Sequence, residues 1–306
     1  MKRIFILLTA VILLAACGPA PITPTPTPVP ATATPVPVST DIKHVFLIVM
    51  ENHAYEDIWG ASSAPYINGL GNQYAHAANM HALIHPSLPN YLQMFAGSNY
   101  DITTDCKPSD TCHVNAPNLG DSLEAKGLSW KAYMEGMPSP CYIASTDRYA
   151  PRHNPMVYFD NIRNNPLRCA AHDVPYTALG TDLILASTTP NFSFISPDLC
   201  NDMHDCSISI GDTWLKNNVP AILNSQACTV DHCLVILTWD EDDHSQNNHI
   251  LTIFAGSGAR TGGTVSNVSY THYSTLRTIE AIFGLPTLTS NDAAASPMDD
   301  LLLGGN

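Results

Sequence analysis

Acidic side chains come directly after three short apolar segments of the sequence. The segments are 44–50, 191–196 and 233–239, and the residues that follow them are Glu51-Asn52-His53, Pro197-Asp198 with Asp202 and His204 beyond, and Asp240-Glu241-Asp242-Asp243-His244. Carboxylates held close together repel one another unless a cation lies between them, and their oxygens are typical ligands of divalent cations. Acidic residues in loops are usually solvated, but three such clusters together favour a metal site.

A serine stands in a setting that suits a nucleophile. Ser87 lies within His85-Pro86-Ser87-Leu88-Pro89-Asn90-Tyr91, close to a proline that can occupy the first turn of a helix. The free backbone N–H groups of a helix N-terminus favour an anion, either an ionised nucleophile or a phosphate. A serine there is also a common helix cap, so the spacing alone leaves both roles open.

Short apolar segments alternate with segments of helical spacing along residues 41–306. Buried strands are predicted at 44–50, 191–196, 233–239 and 249–255, and helices at 89–96, 118–126, 176–186, 210–223 and 273–283. This alternation predicts one α/β domain with a mainly parallel central sheet between helices. Because such sheets bind ligands at the carboxyl ends of their strands, the three acidic clusters should meet at one place.

The composition limits the classes of function. The chain has 306 residues, 45% of them hydrophobic, which is enough to bury a large core and excludes a disordered chain. Thirteen Lys and Arg stand against 27 Asp and Glu, for a net charge of −14. A surface of this sign repels phosphate backbones, so nucleic acid is not an expected partner.

The first 40 residues have the features of an export signal and a tether. Lys2 and Arg3 precede the apolar run 4–16, which is short for a membrane span, and its end, Leu14-Ala15-Ala16-Cys17-Gly18, resembles the lipobox of bacterial lipoproteins. Residues 18–40 are mostly Pro, Thr, Ala and Val, which favours extended polyproline II. We expect a signal peptide at 1–16, then a lipid-anchor Cys17 and stalk at 17–40. An ordinary signal peptide and a low-complexity tail are the alternatives.

Eight cysteines remain when Cys17 is set aside. Close spacing suggests the pairs Cys106–Cys112, Cys200–Cys206 and Cys228–Cys233, which leaves Cys141 for Cys169, although eight cysteines allow many other pairings. The gaps lack the two-residue spacing of a zinc ribbon. We therefore expect disulfides, in agreement with export to an oxidising compartment.

Six motifs resemble those of the bacterial phosphoesterase family. This family includes secreted acid phosphatases and phosphatidylinositol-phosphate phosphatases, with phosphatidylcholine-type phospholipases C as larger relatives. The motifs are Val45–His53, His85–Tyr91, Pro197–Cys206, Thr238–Glu241, Asn248-His249 and Tyr270–Glu280. The resemblance extends over about residues 42–286 and implies a phosphoesterase catalytic domain at 41–306, with a fold similar to that of alkaline phosphatase.

The resemblance also implies metal ligands and a nucleophile. Glu51 and Asn52 match the family's first metal-binding pair, and Asp240 and Glu241 match the second. Ser87 lies in a Ser-x-Pro-Asn sequence similar to the Thr-x-Pro-Asn nucleophile segment of nucleotide pyrophosphatases. The two-zinc arrangement of alkaline phosphatase uses an Asp-His pair where this sequence has Asp-Glu, so we expect one divalent ion, which the oxygen ligands and nearby histidines allow to be Ca, Mg, Mn or Zn.

Histidines complete the expected mechanism. Ser87 attacks phosphorus and forms a phosphoserine, and His204 protonates the leaving alcohol, which favours the acidic side of neutral. The remaining expected site residues are His272 as a catalytic group, and Asn90, His249, His85 and Asp202 as substrate-binding groups. Other histidines are expected to be structural: His76, His81, His113, His153, His172 and His232.

The expected function is an exported, monomeric acid phosphatase that acts on phosphate monoesters. It would be lipid-anchored to the outer face of the cell membrane, or lie in the periplasm or outside the cell, and would contact membrane only through the anchor. One alternative is a phosphodiesterase of phospholipase C type, a choice that depends on the substrate-facing cap expected from residues 101–168. Another is a metal- or solute-binding lipoprotein without turnover.

Overall fold

A mixed β-sheet forms the centre of residues 42–304, which are the part of the chain that the computed structural model describes. Its strands are β1 (Ile42–Met50), β2 (Ala75–His81), β3 (Trp130–Met134), β4 (Asp173–Pro175), β5 (Phe192–Ser196), β6 (His232–Trp239), β7 (His249–Ala255), β8 (Thr264–Ser266) and β9 (Tyr270–Thr271). They lie in the order β4-β3-β5-β1-β6-β7-β2-β8, with β9 paired to β2. Within this part of the chain, β7 alone runs antiparallel to its neighbours, so the sheet is mainly parallel.

Helices of very different lengths connect the strands. The α-helices are α1 (Tyr55–Ile58), α2 (Pro65–Gln73), α3 (Ser87–Ala96), α4 (Leu119–Ala125), α5 (Asp160–Arg163), α6 (Pro166–His172), α7 (Leu179–Asp182), α8 (Ile208–Leu223), α9 (Gln226–Thr229), α10 (His272–Phe283) and α11 (Ser290–Ala294). Short 3₁₀ helices lie at Pro151–His153, Pro155–Tyr158, Tyr176–Ala178 and Asp299–Leu301.

Both faces of the sheet are covered. Successive side chains of a strand point to opposite faces, and the adjacent Phe46 and Leu47 of β1 are both completely buried. Helix α3 packs against α10, and α2 packs against α8. A strand buried on both faces is a continuous apolar run rather than an alternating one, which is why β1 was recognisable. The predicted α/β class is confirmed.

Three neighbouring strands bring the acidic clusters together. Strand β1 lies between β5 and β6 and is parallel to both. Ile48 pairs with Ile195 and Met50 pairs with Trp239, so the three strands end at the same edge of the sheet. The residues that follow each strand therefore share one site, as the sequence pattern predicted.

Two predicted segments differ from the structure. The helix expected at 176–186 is a 3₁₀ turn followed by the short α7, because the Thr188 and Thr189 hydroxyls donate to the carbonyl oxygen of Asp182 and end the helix. The segment expected to form a cap, 101–168, also contributes strand β3, which lies inside the sheet between β4 and β5. Lys131, the second residue of β3, interrupts the apolar pattern of this strand and ion-pairs with Asp182.

The disulfide pairing agrees with the prediction. The bonded pairs are Cys106–Cys112, Cys141–Cys169, Cys200–Cys206 and Cys228–Cys233. Disulfides are typical of chains that fold in oxidising compartments. The predicted signal peptide, Cys17 anchor and stalk lie outside the described residues. Within residues 42–304, no helix has the length and apolar character needed to cross a bilayer.

Candidate active site

Ser87 is the first residue of α3 and faces the ends of the central strands. Its side chain is buried, and its hydroxyl donates a hydrogen bond to Oε2 of Glu51 at 3.3 Å. The same hydroxyl lies against Asp240, where hydrogen bonding opposes the rise in the pKa of that carboxyl. The structure thus brings the predicted nucleophile into contact with two of the predicted metal ligands.

Two hydrogen bonds hold Glu51 in place. Its backbone N–H donates to the carbonyl oxygen of Asp202 at 2.9 Å, and the hydroxyl of Tyr91 in α3 donates a short hydrogen bond to Oε1. Complete burial, followed by the neighbouring charges of Asp240 and Asp202, raises the pKa of Glu51 well above its usual value. An isolated anion is therefore strongly disfavoured here, and a cation would relieve the cost.

Asp240 and Asn52 hold each other across the ends of β6 and β1. The backbone N–H of Asp240 donates to the carbonyl oxygen of Met50 at 3.0 Å, and the backbone N–H of Asn52 donates to Oδ1 of Asp240 at 3.3 Å. Asn52 has φ 53°, in the left-handed region that asparagine tolerates better than most residues. Oδ1 of Asn52 and Oδ2 of Asp240 are buried, and neither has a hydrogen-bond partner among the described residues.

His153, which was expected from the sequence to be structural, completes this group. Its Nε2 lies 3.4 Å from Oε1 of Glu51, and its Nδ1 lies 3.3 Å from Oδ2 of Asp202. Its ring stacks on Tyr91 with centroids 5.4 Å apart. Nothing in the sequence marks it, because it comes from a short 3₁₀ helix far along the chain from the acidic clusters.

The donor set fits a divalent cation. Ligand atoms of Glu51, His153 and Asp202 all lie within 4.8 Å of one another. His153 Nε2 and Asp202 Oδ2 are within ion-pair distance of their neighbours, but neither is aligned for a hydrogen bond. Burial raises the pKa of Asp240 to about 7 and that of Asp202 to about 8, and it lowers the pKa of His153. Buried oxygens and one neutral imidazole with unused lone pairs suit Mg, Mn, Ca or Zn.

Glu241 lies beside this group, with Asn90 and His85. Its Oε2 accepts a hydrogen bond from Nδ2 of Asn90 at 3.2 Å and lies 3.1 Å from Nδ1 of His85. Nε2 of His85 is 3.1 Å from Oδ1 of Asp242. Burial, followed by the charge of Asp240, raises the pKa of Glu241 to about 9. Three predicted site residues therefore form one polar cluster that flanks Ser87.

His204 lies at the rim of the site, in contact with Asp205 and Arg152. Its Nδ1 is 2.7 Å from Oδ1 of Asp205, and its backbone N–H donates to Oδ1 of Asp202 at 2.8 Å. Nη2 of Arg152 is 3.1 Å from Nε2 of His204. The His204 side chain is 27% exposed, so solvent and substrate can reach it.

The two other predicted histidines are placed differently. His272 is fully buried behind Asp240, where its Nε2–H donates to the carbonyl oxygen of Asp240 at 2.6 Å. Burial lowers its pKa to about 4, so it is neutral and holds the end of β6 in place. His249 contacts Oε1 of Glu56 at 2.9 Å and the carbonyl oxygen of Ala78 at 3.1 Å. The structure does not bring His249 into contact with Ser87.

A family model matches residues 57–286 of the chain and describes the Phosphoesterase family. The match spans most of the chain. The chain belongs to the Phosphoesterase family. The predicted enzyme class, a hydrolase acting on phosphoric ester bonds, is confirmed by this membership. The matched range begins after Glu51 and Asn52, so it includes Ser87 and Asp240 but not the first predicted ligand pair.

Curated relatives of this phosphoesterase include a bacterial and a fungal protein. Phosphatidylinositol-3-phosphatase of Mycobacterium tuberculosis is 37% identical over 262 residues, which cover 84% of this chain and 82% of the relative. An acid phosphatase of Aspergillus fumigatus is 29% identical over 265 residues, which cover 83% of this chain. The match spans only 58% of the length of that fungal relative.

Solved structures show the fold that the phosphoesterase shares. A protein of the alkaline phosphatase superfamily from Vibrio parahaemolyticus has a TM-score of 0.59 at 11% identity, covering 89% of this chain and 77% of its own. Murine ectonucleotide pyrophosphatase/phosphodiesterase 5 in complex with AMP has a TM-score of 0.61 at 10% identity, covering 85% of this chain and 100% of its own. The predicted likeness to the alkaline phosphatase fold is confirmed.

Proposed function

We propose that this phosphoesterase is an exported, metal-dependent acid phosphatase that hydrolyses phosphate monoesters through a phosphoserine on Ser87. One observation carries the proposal: the buried Ser87 hydroxyl donates to Glu51 and lies against Asp240, within a group of buried ligand atoms that lack hydrogen-bond partners. A chain that only bound metal would gain nothing from a hydroxyl held in this position.

Five residues would hold the metal ion, namely Glu51, Asn52, Asp240, His153 and Asp202. The bound ion would supply positive charge that lowers the pKa of the Ser87 hydroxyl and favours its ionised form. Glu241 was predicted from the sequence to be the fourth metal ligand. Its carboxyl group accepts a hydrogen bond from Asn90, so we propose that it also orients the Asn90 side chain. We propose that a single ion is held between the ends of β1, β5 and β6.

Two chemical steps follow from this arrangement. In the first, the ionised Ser87 Oγ attacks phosphorus, the ester P–O bond breaks, and the leaving alcohol takes a proton from His204. In the second, water attacks the phosphoserine, His204 takes the proton of the water, and inorganic phosphate leaves as Ser87 is restored. His204 is suited to both proton transfers because it is exposed at the rim and its Nδ1 is held by Asp205.

Asn90 and His85 would orient the site. Nδ2 of Asn90 donates to the carbonyl oxygen of Ile84 at 2.6 Å as well as to Glu241, which fixes the chain that leads into Ser87. His85 contacts Glu241 and Asp242 and stacks on His244 with centroids 3.7 Å apart. We propose that His85 acts through Glu241, and that His272 positions Asp240.

The substrate class we propose is a phosphate monoester with an alcohol leaving group. The names of the relatives, a phosphatidylinositol-3-phosphatase and an acid phosphatase, support monoesters. A phosphoinositide is the first natural substrate to test, since the mycobacterial relative matches over most of its own length.

The experiment that tests this function is release of p-nitrophenol from p-nitrophenyl phosphate by the full chain. We expect turnover that is strongest in acid, is lost with chelator and returns with a divalent ion. The Ser87→Ala variant should be inactive, and an exposed control, Ser245→Ala, should be fully active. Turnover of bis-p-nitrophenyl phosphate alone would favour the phosphodiesterase, and no turnover of either ester would favour a binding lipoprotein.

We also propose that Cys17 carries the lipid anchor and that export precedes oxidation of the four cysteine pairs. The four disulfides support an oxidising compartment. Metabolic labelling with a palmitate analogue should mark the wild-type chain but not Cys17→Ala. Equal labelling of both chains would contradict the anchor.

A further inference from the structure

The proposed site has a shortage of positive charge. Glu51 and Asp240 contact the Ser87 hydroxyl. Asp202 lies close to Glu51, Glu241 accepts a hydrogen bond from Asn90, and all four carboxyl groups are buried. A phosphate monoester adds an anion with two negative charges near neutral pH. Carboxyl groups offer a phosphoryl group no positive charge, and its charged oxygens need a cationic partner in a low-dielectric site. A cationic side chain should therefore contact the phosphoryl group.

Arg152 is the cation placed to do this. Among the lysines and arginines of residues 42–304, it alone hydrogen-bonds a predicted site residue, through the 3.1 Å contact from Nη2 to Nε2 of His204. It immediately precedes His153, whose ring contacts Glu51 and Asp202. Its side chain is 25% exposed, so it can also contact a ligand.

Asp105 ties Arg152 to the nucleophile. Oδ1 of Asp105 accepts a hydrogen bond from the backbone N–H of Leu88, the residue after Ser87, at 3.0 Å. Oδ2 of the same carboxylate lies 3.7 Å from Nε of Arg152. The guanidinium is thus held between the first turn of α3 and the proposed acid His204. The positive charge of Arg152 partly opposes the rise in the pKa of Glu241. The guanidinium therefore lies near the cluster that flanks Ser87.

The contacts of Arg152 with Asp105 and His204 are weak enough for its guanidinium to bind a ligand instead. The distance to Asp105 is too long for a hydrogen bond, and the ring nitrogen of His204 is a neutral acceptor when it accepts from a guanidinium. A phosphoryl group presents two charged oxygens that match the planar fork of arginine. It would therefore compete well with the contact to His204.

We propose that Arg152 binds the phosphoryl oxygens of the substrate, with Asp105 holding the guanidinium beside Ser87. This inference rests on the proposed function, because it names the group that recognises the substrate of that site. The same contact would explain a preference for monoesters, since a diester has one fewer charged oxygen to offer the guanidinium.

A purely structural role for Arg152 makes different predictions. In that case the guanidinium would only fix the 3₁₀ helix at Pro151–His153 and so keep His153 in place. Its removal would then weaken metal binding and lower the melting temperature, and added guanidinium would restore nothing. A direct measurement of phosphate affinity therefore distinguishes a structural role of Arg152 from a role in substrate binding.

The test compares Arg152→Ala and Arg152→Lys with wild type and with Lys107→Ala. Lys107 lines the same small cavity as Arg152 and is the matched control for loss of one positive charge. Calorimetry measures the affinity for inorganic phosphate and for the metal ion, and p-nitrophenyl phosphate and its diester measure turnover. Guanidinium chloride at low concentration is added to Arg152→Ala, with sodium chloride as the salt control.

For Arg152→Ala we expect phosphate affinity to fall at least about tenfold, and kcat/KM for the monoester to fall roughly 100-fold. The kcat/KM for the diester should fall much less. Metal affinity and melting temperature should stay at the wild-type values, and added guanidinium should restore part of the monoester activity. The phosphate affinity and monoester kcat/KM of Arg152→Lys should lie between those of wild type and Arg152→Ala, because lysine keeps the positive charge but not the planar fork of the guanidinium. Lys107→Ala should match wild type.

Two results would overturn the inference while leaving the proposed function intact. The first is a wild-type chain that hydrolyses monoesters together with an Arg152→Ala variant that binds phosphate equally well. The second is an Arg152→Ala variant whose loss of activity follows a loss of metal affinity and shows no rescue. A wild-type chain that neither binds phosphate nor turns over would contradict both the inference and the proposed function.

Discussion

Replacing Asp240 with asparagine should stabilise the metal-free chain at high pH while abolishing activity. The substitution keeps the shape of the side chain, and Oδ1 of the amide can still accept the hydrogen bond from the backbone N–H of Asn52. It removes a completely buried charge that has no ion pair with a cation among the described residues. Natural active sites commonly sacrifice stability in this way.

The magnitude follows from the pKa of Asp240. Burial raises this pKa from 3.8 in the unfolded chain to about 7 in the folded one, so the folded state binds an additional proton between these values. The free energy of unfolding therefore falls as pH rises through this window, by up to about 4 kcal/mol once both states are ionised. The asparagine variant has no such loss. At pH 8 it should be more stable by that amount, or melt roughly 10 °C higher, and at pH 4 the two chains should differ little.

Urea unfolding followed by circular dichroism, in the presence of chelator, measures this difference at the two pH values. The matched control is Asp147→Asn, the same substitution at an exposed position, which should change nothing. Added divalent ion should stabilise the wild-type chain at pH 8 more than it stabilises the Asp240→Asn variant. A variant that is no more stable than wild type at pH 8 without metal would show that the Asp240 carboxylate is not an uncompensated buried charge.

Three further outcomes follow from the site. His153→Ala should weaken metal binding roughly 10- to 100-fold in calorimetry, and an unchanged affinity would remove His153 from the ligand set. His249→Ala should keep wild-type kcat/KM because its contacts are with Glu56 and Ala78; a large loss would restore its predicted role in substrate binding. Metal affinity should rise between pH 5 and pH 8, because carboxyl groups with pKa values of about 7 and 8 must release their protons. An affinity that does not depend on pH would show that these carboxyls are not ligands.

The convergence of the acidic clusters was predictable because it depends on short-range signals. Each cluster follows a short, mostly apolar segment, and segments such as 44–50 are typical of strands buried on both faces. Parallel strands end at one edge of the sheet, so Glu51 and Asp240 had to meet once β1 and β6 were recognised. Ser87 could be placed near them only with the additional resemblance to a known family.

Other parts of the fold depend on contacts that the local sequence does not encode. Strand β2 contains three alanines and two histidines, which form no apolar run, and β3 is interrupted by Lys131. His153 and Arg152 come from a 3₁₀ helix whose position is fixed by packing rather than by periodicity. His249 opens a recognisable strand, but β7 is antiparallel, so its first residue lies next to the last residues of β2 and pairs with His81.

The central claim is that Ser87 is phosphorylated during turnover. The full chain is mixed with a phosphate monoester and a divalent ion, quenched rapidly in acid, digested and examined by mass spectrometry. We expect one added phosphoryl group on the peptide that contains Ser87, formed within a single turnover and absent without the metal. Turnover with no phosphorylated peptide, or with the phosphoryl group on a histidine instead, would contradict it.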